Sequence, residues 1–274
     1  MIRDPAVAGS FYPRGKEALY MTIEEDTEKI EDRKKEEVKG IVVPHAGYDY
    51  SGSVAGAVYS RIKFPDTFVI LGPNHAGFGK SFSIMSKGVW NMPFEQVNID
   101  SILAEKIFIN SKHLEEDIMA HIQEHSIEVQ IPFMQYFSEN FQFVPIAIRH
   151  YTADEDYLKI CKGIGIAIAK GIKMLNEKVV IAASSDFSHY VSREIADKND
   201  HIAIDAILKL DEDELFKKIR ESDISMCGYG PVAIMLSACK ELGSTKGELI
   251  KYANSGDVTG DYDEVVGYGG IIIK

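Results

Sequence analysis

Three histidines in this chain each follow an apolar run. His45 comes directly after "GIVVP", His75 after "TFVILGPN" and His189 after "KVVIAASSDFS". A neutral imidazole offers one nitrogen lone pair and suits iron, copper, zinc or nickel, and it titrates near neutrality. The chain has 8 histidines, so three at matching positions after separate strand-like runs point to one shared site rather than to three unrelated packing residues. Two histidines and one carboxylate would leave positions open on ferrous iron. Candidates for a third ligand are Asp186, Asp49, Glu124 and Cys227.

The three cysteines are judged singly, because an odd number without a C-x-x-C pair argues against both a disulfide framework and a zinc knuckle. Cys161 and Cys239 lie in amphipathic helical patterns and read as buried, inert thiols. Cys227, in "SMCGYGP", sits in a glycine-rich loop that opens a helix, whose N-terminus would favour a thiolate. "HIQEH", from His121 to His125, matches the H-x-x-E-H pattern of one zinc peptidase group. Five residues match such a pattern cheaply and Pro132 soon interrupts the helical period, so His125 and Glu124 are expected at the rim of the main site instead.

These residues need elements to position them. Strand-like runs appear at "GIVV", "TFVILG", "SFSIMS", "FQFVPIAI", "KVVIAAS", "ELIKYANS" and "VVGYGGIII", and helical patterns separate several of them. Alternation of this kind predicts an α/β fold with a mainly parallel or mixed central sheet covered by helices on both faces. In such sheets ligands bind outside the carboxyl ends of the strands, where the three histidines fall. With no repeat and no linker rich in Pro, Gly or Ser, residues 1–274 are expected to form a single domain.

A net charge of −12, with no basic stripe to offset it, excludes nucleic acid as a natural partner. The N-terminus lacks an apolar signal region, and "GIGIAIAKGI" from Gly163 is too short for a membrane span. The expectation is a soluble, cytoplasmic protein without a membrane partner. The mixed charges from Glu24 to Glu37 read as a solvated helix and loop. Asp257, Asp261, Asp263 and Glu264, spaced unlike an EF-hand, read as a solvated glycine-rich turn.

Taken in order, "AVAGSFYP", "VVPHAGYDYSG", "LGPNHAGFG", "EHSIEVQIPF", "SSDFSHY", "CGYGP" and "SGDVTGDYDEVVGYGG" closely resemble the Memo family, system protein B of the AmmeMemoRadiSam set. The resemblance implies a fold similar to the class III extradiol dioxygenases. It also implies metal ligation by His45, His75 and Cys227, and a functional link to the AMMECR and radical SAM components. Because a cysteine stands where the ring-cleaving enzymes use a carboxylate, catechol cleavage does not carry over, and thiolate shifts the metal preference towards copper or zinc. The expected cofactor is iron or copper, with zinc as a further option. His189, Asp186 and His125 are expected to line the substrate side, with His189 as general base. The leading expectation is a metal-dependent oxidoreductase acting on a small-molecule or peptide ligand in the cleft. A peptide- or partner-binding scaffold using the same cleft and a metal-dependent hydrolase are the alternatives, and a homo-oligomer is compatible with each.

Overall fold

Strands and helices alternate along the described chain, which is residues 1–175 and 177–274 of a computed structural model. The strands are β1 (Ile2–Arg3), β2 (Gly40–Val43), β3 (Thr67–Pro73), β4 (Phe82–Ile84), β5 (Val89–Asn91), β6 (Gln96–Asn98) and β7 (Glu115–Glu116). There follow β8 (Gln142–Ile148), β9 (Val179–Ser184), β10 (His189–Val191), β11 (Gly247–Asn254) and β12 (Val265–Ile273). The main sheet is nine-stranded and runs β10-β12-β2-β9-β3-β8-β4-β7, with β11 paired to β12. Its middle strands β2, β9, β3 and β8 are mutually parallel, whereas β12 joins β2 and β4 joins β8 antiparallel. The sheet is therefore mixed around a parallel centre, and strands β1, β5 and β6 form a separate three-stranded sheet.

The parallel centre follows from strands that are apolar on both faces. Val42, Val69, Leu71, Val144 and Ile181 turn towards one core, shared with helices Ser101–Asn110, Glu155–Leu175 and Tyr229–Glu241. Their neighbours Ile41, Val43, Phe68, Ile70 and Val180 turn to a second core, against helices Lys16–Asp26, Tyr48–Arg61 and Ile131–Phe137. Successive side chains on a strand point to opposite faces, so each such run must be covered twice. Each fully buried Ile, Leu or Val contributes about 1.5–3 kcal/mol to that cover. Cys161 and Cys239 are buried in the first core. Among the described residues no helix is long and apolar enough to cross a membrane.

Register brings three strand ends together. Val43 on β2 lies beside Ser184 on β9, and Ala183 on β9 lies beside Leu71 on β3. The loops that leave β2, β9 and β3 consequently start side by side. His45 occupies the loop between β2 and helix Tyr48–Arg61, His75 the loop after β3, and Asp186 the short link from β9 to β10, where His189 begins.

Candidate metal centre

His45, His75 and His125 each offer a ligand atom, and these atoms lie within 4.8 Å of one another. The rings of His75 and His125 stack at 4.7 Å between centroids, and His45 meets both edge-on, at 5.2 and 5.5 Å. His45 is buried, His125 half-buried and His75 exposed.

The partners of each ring decide which nitrogen points inward. Ser184 Oγ donates to the Ser126 carbonyl at 2.6 Å and accepts from Gln130 Nε2 at 3.0 Å. Its proton being engaged, it can only accept from His45 Nδ1, 2.9 Å away. His45 therefore carries its proton on Nδ1 and keeps the Nε2 lone pair. Glu124 imposes the same state on His75 and stands beside His125. Its Oε1 lies 3.0 Å from His75 Nδ1 and 3.3 Å from His125 Nδ1. A carboxylate that accepts from Nδ1–H and leaves Nε2 for a cation is the usual outer support of a histidine metal site.

Electrostatics agree with this assignment. Burial alone would raise the Glu124 carboxyl, but the His75 hydrogen bond, the charges of His75 and His125 and the Ser126 N–H hold it at about 2. It stays ionised under physiological conditions, and five N–H groups converge on it: His75 Nδ1 and the backbones of His75, Ala76, His125 and Ser126. Burial pushes the His45 imidazole well below its ordinary value, and the charges of His75, His125 and His189 add to the effect. Burial also lowers His125. An ionised carboxylate bordered by imidazoles that resist protonation at His45 and His125 suits a cation, so the residues present fit a transition-metal ion.

Cys227 stands at the edge of the group. Its Sγ lies 3.3 Å from His45 Nε2, close to the roughly 3.5 Å separation of a nitrogen and a sulfur on one tetrahedral ion. The expected pull of the helix N-terminus towards thiolate is outweighed, because burial and then the Asp186 charge push the thiol up. A bound cation would favour the anionic form of this sulfur. The close approach requires a glycine next in sequence, since a Cβ on Gly228 would lie 2.5 Å from the Ser185 Cβ.

Asp186 and His189 are near but differently engaged. Asp186 Oδ1 accepts the His45 backbone N–H at 2.7 Å; burial lifts its carboxyl to about 6, with that hydrogen bond and the charges of His189 and His75 opposing. His189 turns instead to Ser225, whose carbonyl lies 2.9 Å from Nδ1. A carbonyl can only accept, so His189 also keeps its Nε2 lone pair. Tyr190, next in the chain, holds a left-handed φ of 57° and is 73% exposed. A cleft of about 700 Å³ opens here, lined by His75, His150, His189, Tyr190, Cys227 and Tyr229 among others.

The chain thus brings His45, His75, His125, Asp186, His189 and Cys227 to one end of the sheet. His121 is separate: its Nε2 lies 3.0 Å from Ser83 Oγ inside the protein, so the two histidines of "HIQEH" do not share a ligand face. His125 is moved from the rim into the cluster by the irregular path after helix Met119–Ile122. Sequence reasoning missed the orienting residues Ser184, Gln130 and Ser225. A signal existed for Ser184, a polar side chain that ends the otherwise apolar run "VVIAAS".

Comparison with known proteins places the chain. The family model described as "Memo-like protein" matches residues 3–272. A MEMO1 family protein of Methanococcoides burtonii is 46% identical over 100% of both chains. One from Pyrobaculum aerophilum is 44% identical, over 99% of this chain and 98% of that protein. The fold is also similar to the crystal structure of the uncharacterized protein JW3007 from Escherichia coli K12, with a TM-score of 0.52 and 12% identity over 86% of this chain and 99% of that one. The chain belongs to the Memo family.

Proposed function

We propose that this member of the Memo family is a metal-dependent oxidoreductase whose ion is held by His45, His75 and His125, with Cys227 as a further ligand beside His45. The observation that carries the reading is the convergence of three imidazoles, with Nδ1 of His45 and His75 engaged by Ser184 and Glu124, beside an open cleft that His75 and Cys227 line. Iron or copper suits this donor set, and zinc suits the same imidazoles. When bound, a redox-active ion would supply electron transfer and Lewis acidity beside the cleft.

The remaining residues act on a substrate in the cleft. His189, its Nδ1 proton given to the Ser225 carbonyl, presents Nε2 as a base for a substrate O–H or N–H. Asp186 holds the His45 backbone in register. The aromatic walls from Tyr190 and Tyr229 favour a ligand with a flat apolar portion.

The test is anaerobic reconstitution with ferrous iron and, separately, with copper, followed by oxygen uptake in the presence of a reductant. Metal-dependent uptake that disappears in His75→Ala supports an oxidoreductase. Retention of zinc alone, with no uptake under any loading, would move the reading to a hydrolase.

A further inference from the structure

The segment from His121 to Glu128 carries two members of the site, Glu124 and His125, yet its middle has no ladder or helix of its own. Residues from the start of the chain hold it in place. The Arg3 guanidinium donates from Nε to the His121 carbonyl at 2.9 Å and from a terminal nitrogen to the Glu124 carbonyl at 2.7 Å. Its other terminal nitrogen pairs with Glu128 Oε2. One side chain therefore grips the segment at its beginning, middle and end. Glu128 completes the clamp: it accepts the Ala6 N–H at 2.8 Å, the Val7 N–H at 3.1 Å and the Tyr12 hydroxyl at 2.6 Å. Phe11, between these anchors, lays its ring against His125 at 4.7 Å. Arg3 is itself 2% exposed and sits 4.1 Å over the Trp90 ring.

We propose that Arg3 is a positioning residue of the metal centre: through the Glu124 carbonyl and the Glu128 carboxylate it fixes the Glu124 side chain against His75 and His125, so the N-terminal segment is a working part of the site. The inference rests on the metal reading above. A guanidinium suits the role because its planar fork serves three acceptors at fixed angles, while an ammonium behaves as a point charge and cannot match that fork. With Arg3 truncated, the 121–128 segment relaxes, Glu124 loses its hold on the two imidazoles, and His75 reverts to a mixture of neutral tautomers.

The experiment compares parent, Arg3→Lys, Arg3→Met and Lys240→Met. The last breaks a partly buried ion pair with Glu212, away from the site, and so controls for lost stability. Two quantities are read: cobalt(II) affinity by chelator competition, and the His75 tautomer in metal-free protein by long-range proton–nitrogen NMR. The expected result is a loss of about 10–100-fold in cobalt affinity for Arg3→Met, a smaller loss for Arg3→Lys, and parent affinity for Lys240→Met at matched unfolding midpoint. The tautomer is expected to be Nδ1–H in the parent and Lys240→Met, and mixed in Arg3→Met. An Arg3→Met protein that keeps the parent's His75 tautomer, or whose cobalt loss is matched by Lys240→Met, would overturn the inference. A parent that binds no cobalt would sink the metal reading alone, because the tautomer comparison needs no metal.

Discussion

Glu124 and Glu128 lie one helical turn apart in sequence, both almost fully buried, and serve opposite ends. Glu128 meets a permanent cation, Arg3, together with fixed N–H and O–H donors from the N-terminal segment. Glu124 meets backbone N–H groups and two imidazoles, whose outer nitrogens remain available. A buried carboxylate must be paired or hydrogen-bonded to stay charged, and the kind of partner tells what the charge is for. A guanidinium closes the account locally, whereas imidazoles pass the negative charge on to whatever binds their far side. Asp26 is a third case: its Oδ2 is buried without a hydrogen-bond partner among the described residues, and burial, only partly opposed by Lys251, raises its carboxyl to about 7.

Substitutions should separate the three. Glu128→Gln leaves the Arg3 charge buried without its counter-ion, and a stability loss of about 3–5 kcal/mol is expected by urea unfolding; a loss under about 1 kcal/mol would show that the clamp is dispensable. Glu124→Gln turns an NH2 group against N–H donors that the carboxylate accepts, so it should cost stability and also lower metal affinity about 10–100-fold. Unchanged metal affinity in Glu124→Gln would erase the contrast. The smallest effect is expected at Asp26. Its folded pKa is raised, so its contribution is fully present in acid, below the unfolded value, and is lost as pH rises through about 7. Solvent screening at this half-buried site reduces the effect to about 1 kcal/mol. Asp26→Asn should therefore gain stability relative to the parent between pH 5 and pH 8, and parallel stability curves across that range would refute the assignment.

Much of the frame was legible because its signals are local. The runs ending at Val43, Gly72 and Ser184 announce strands on composition, and the residues after them include His45, His75, Asp186 and His189 as expected. Strands β1, β5, β6 and β7 were not legible, since two or three residues show no periodicity. The place of His125 was hidden for another reason: its loop is set by contacts with Arg3 and Phe11 from the start of the chain. The same holds for Asp26, which sits in a run that reads as solvated but turns its carboxyl towards Gly52 and its backbone carbonyl towards Gly56 of helix Tyr48–Arg61. The acids at Asp257, Asp261, Asp263 and Glu264 are exposed, as the glycine-rich turn implied.

The central claim is that His45, His75 and His125 form one metal site, with Cys227 beside His45. It is tested most directly by isothermal titration of the metal-free protein with cobalt(II), run on the parent and on His125→Ala and Cys227→Ser. The account predicts stoichiometric binding in the parent, a loss of at least about 100-fold in His125→Ala, and a smaller loss in Cys227→Ser that also bleaches the sulfur-to-cobalt absorption band. Parent-like binding by His125→Ala would contradict it.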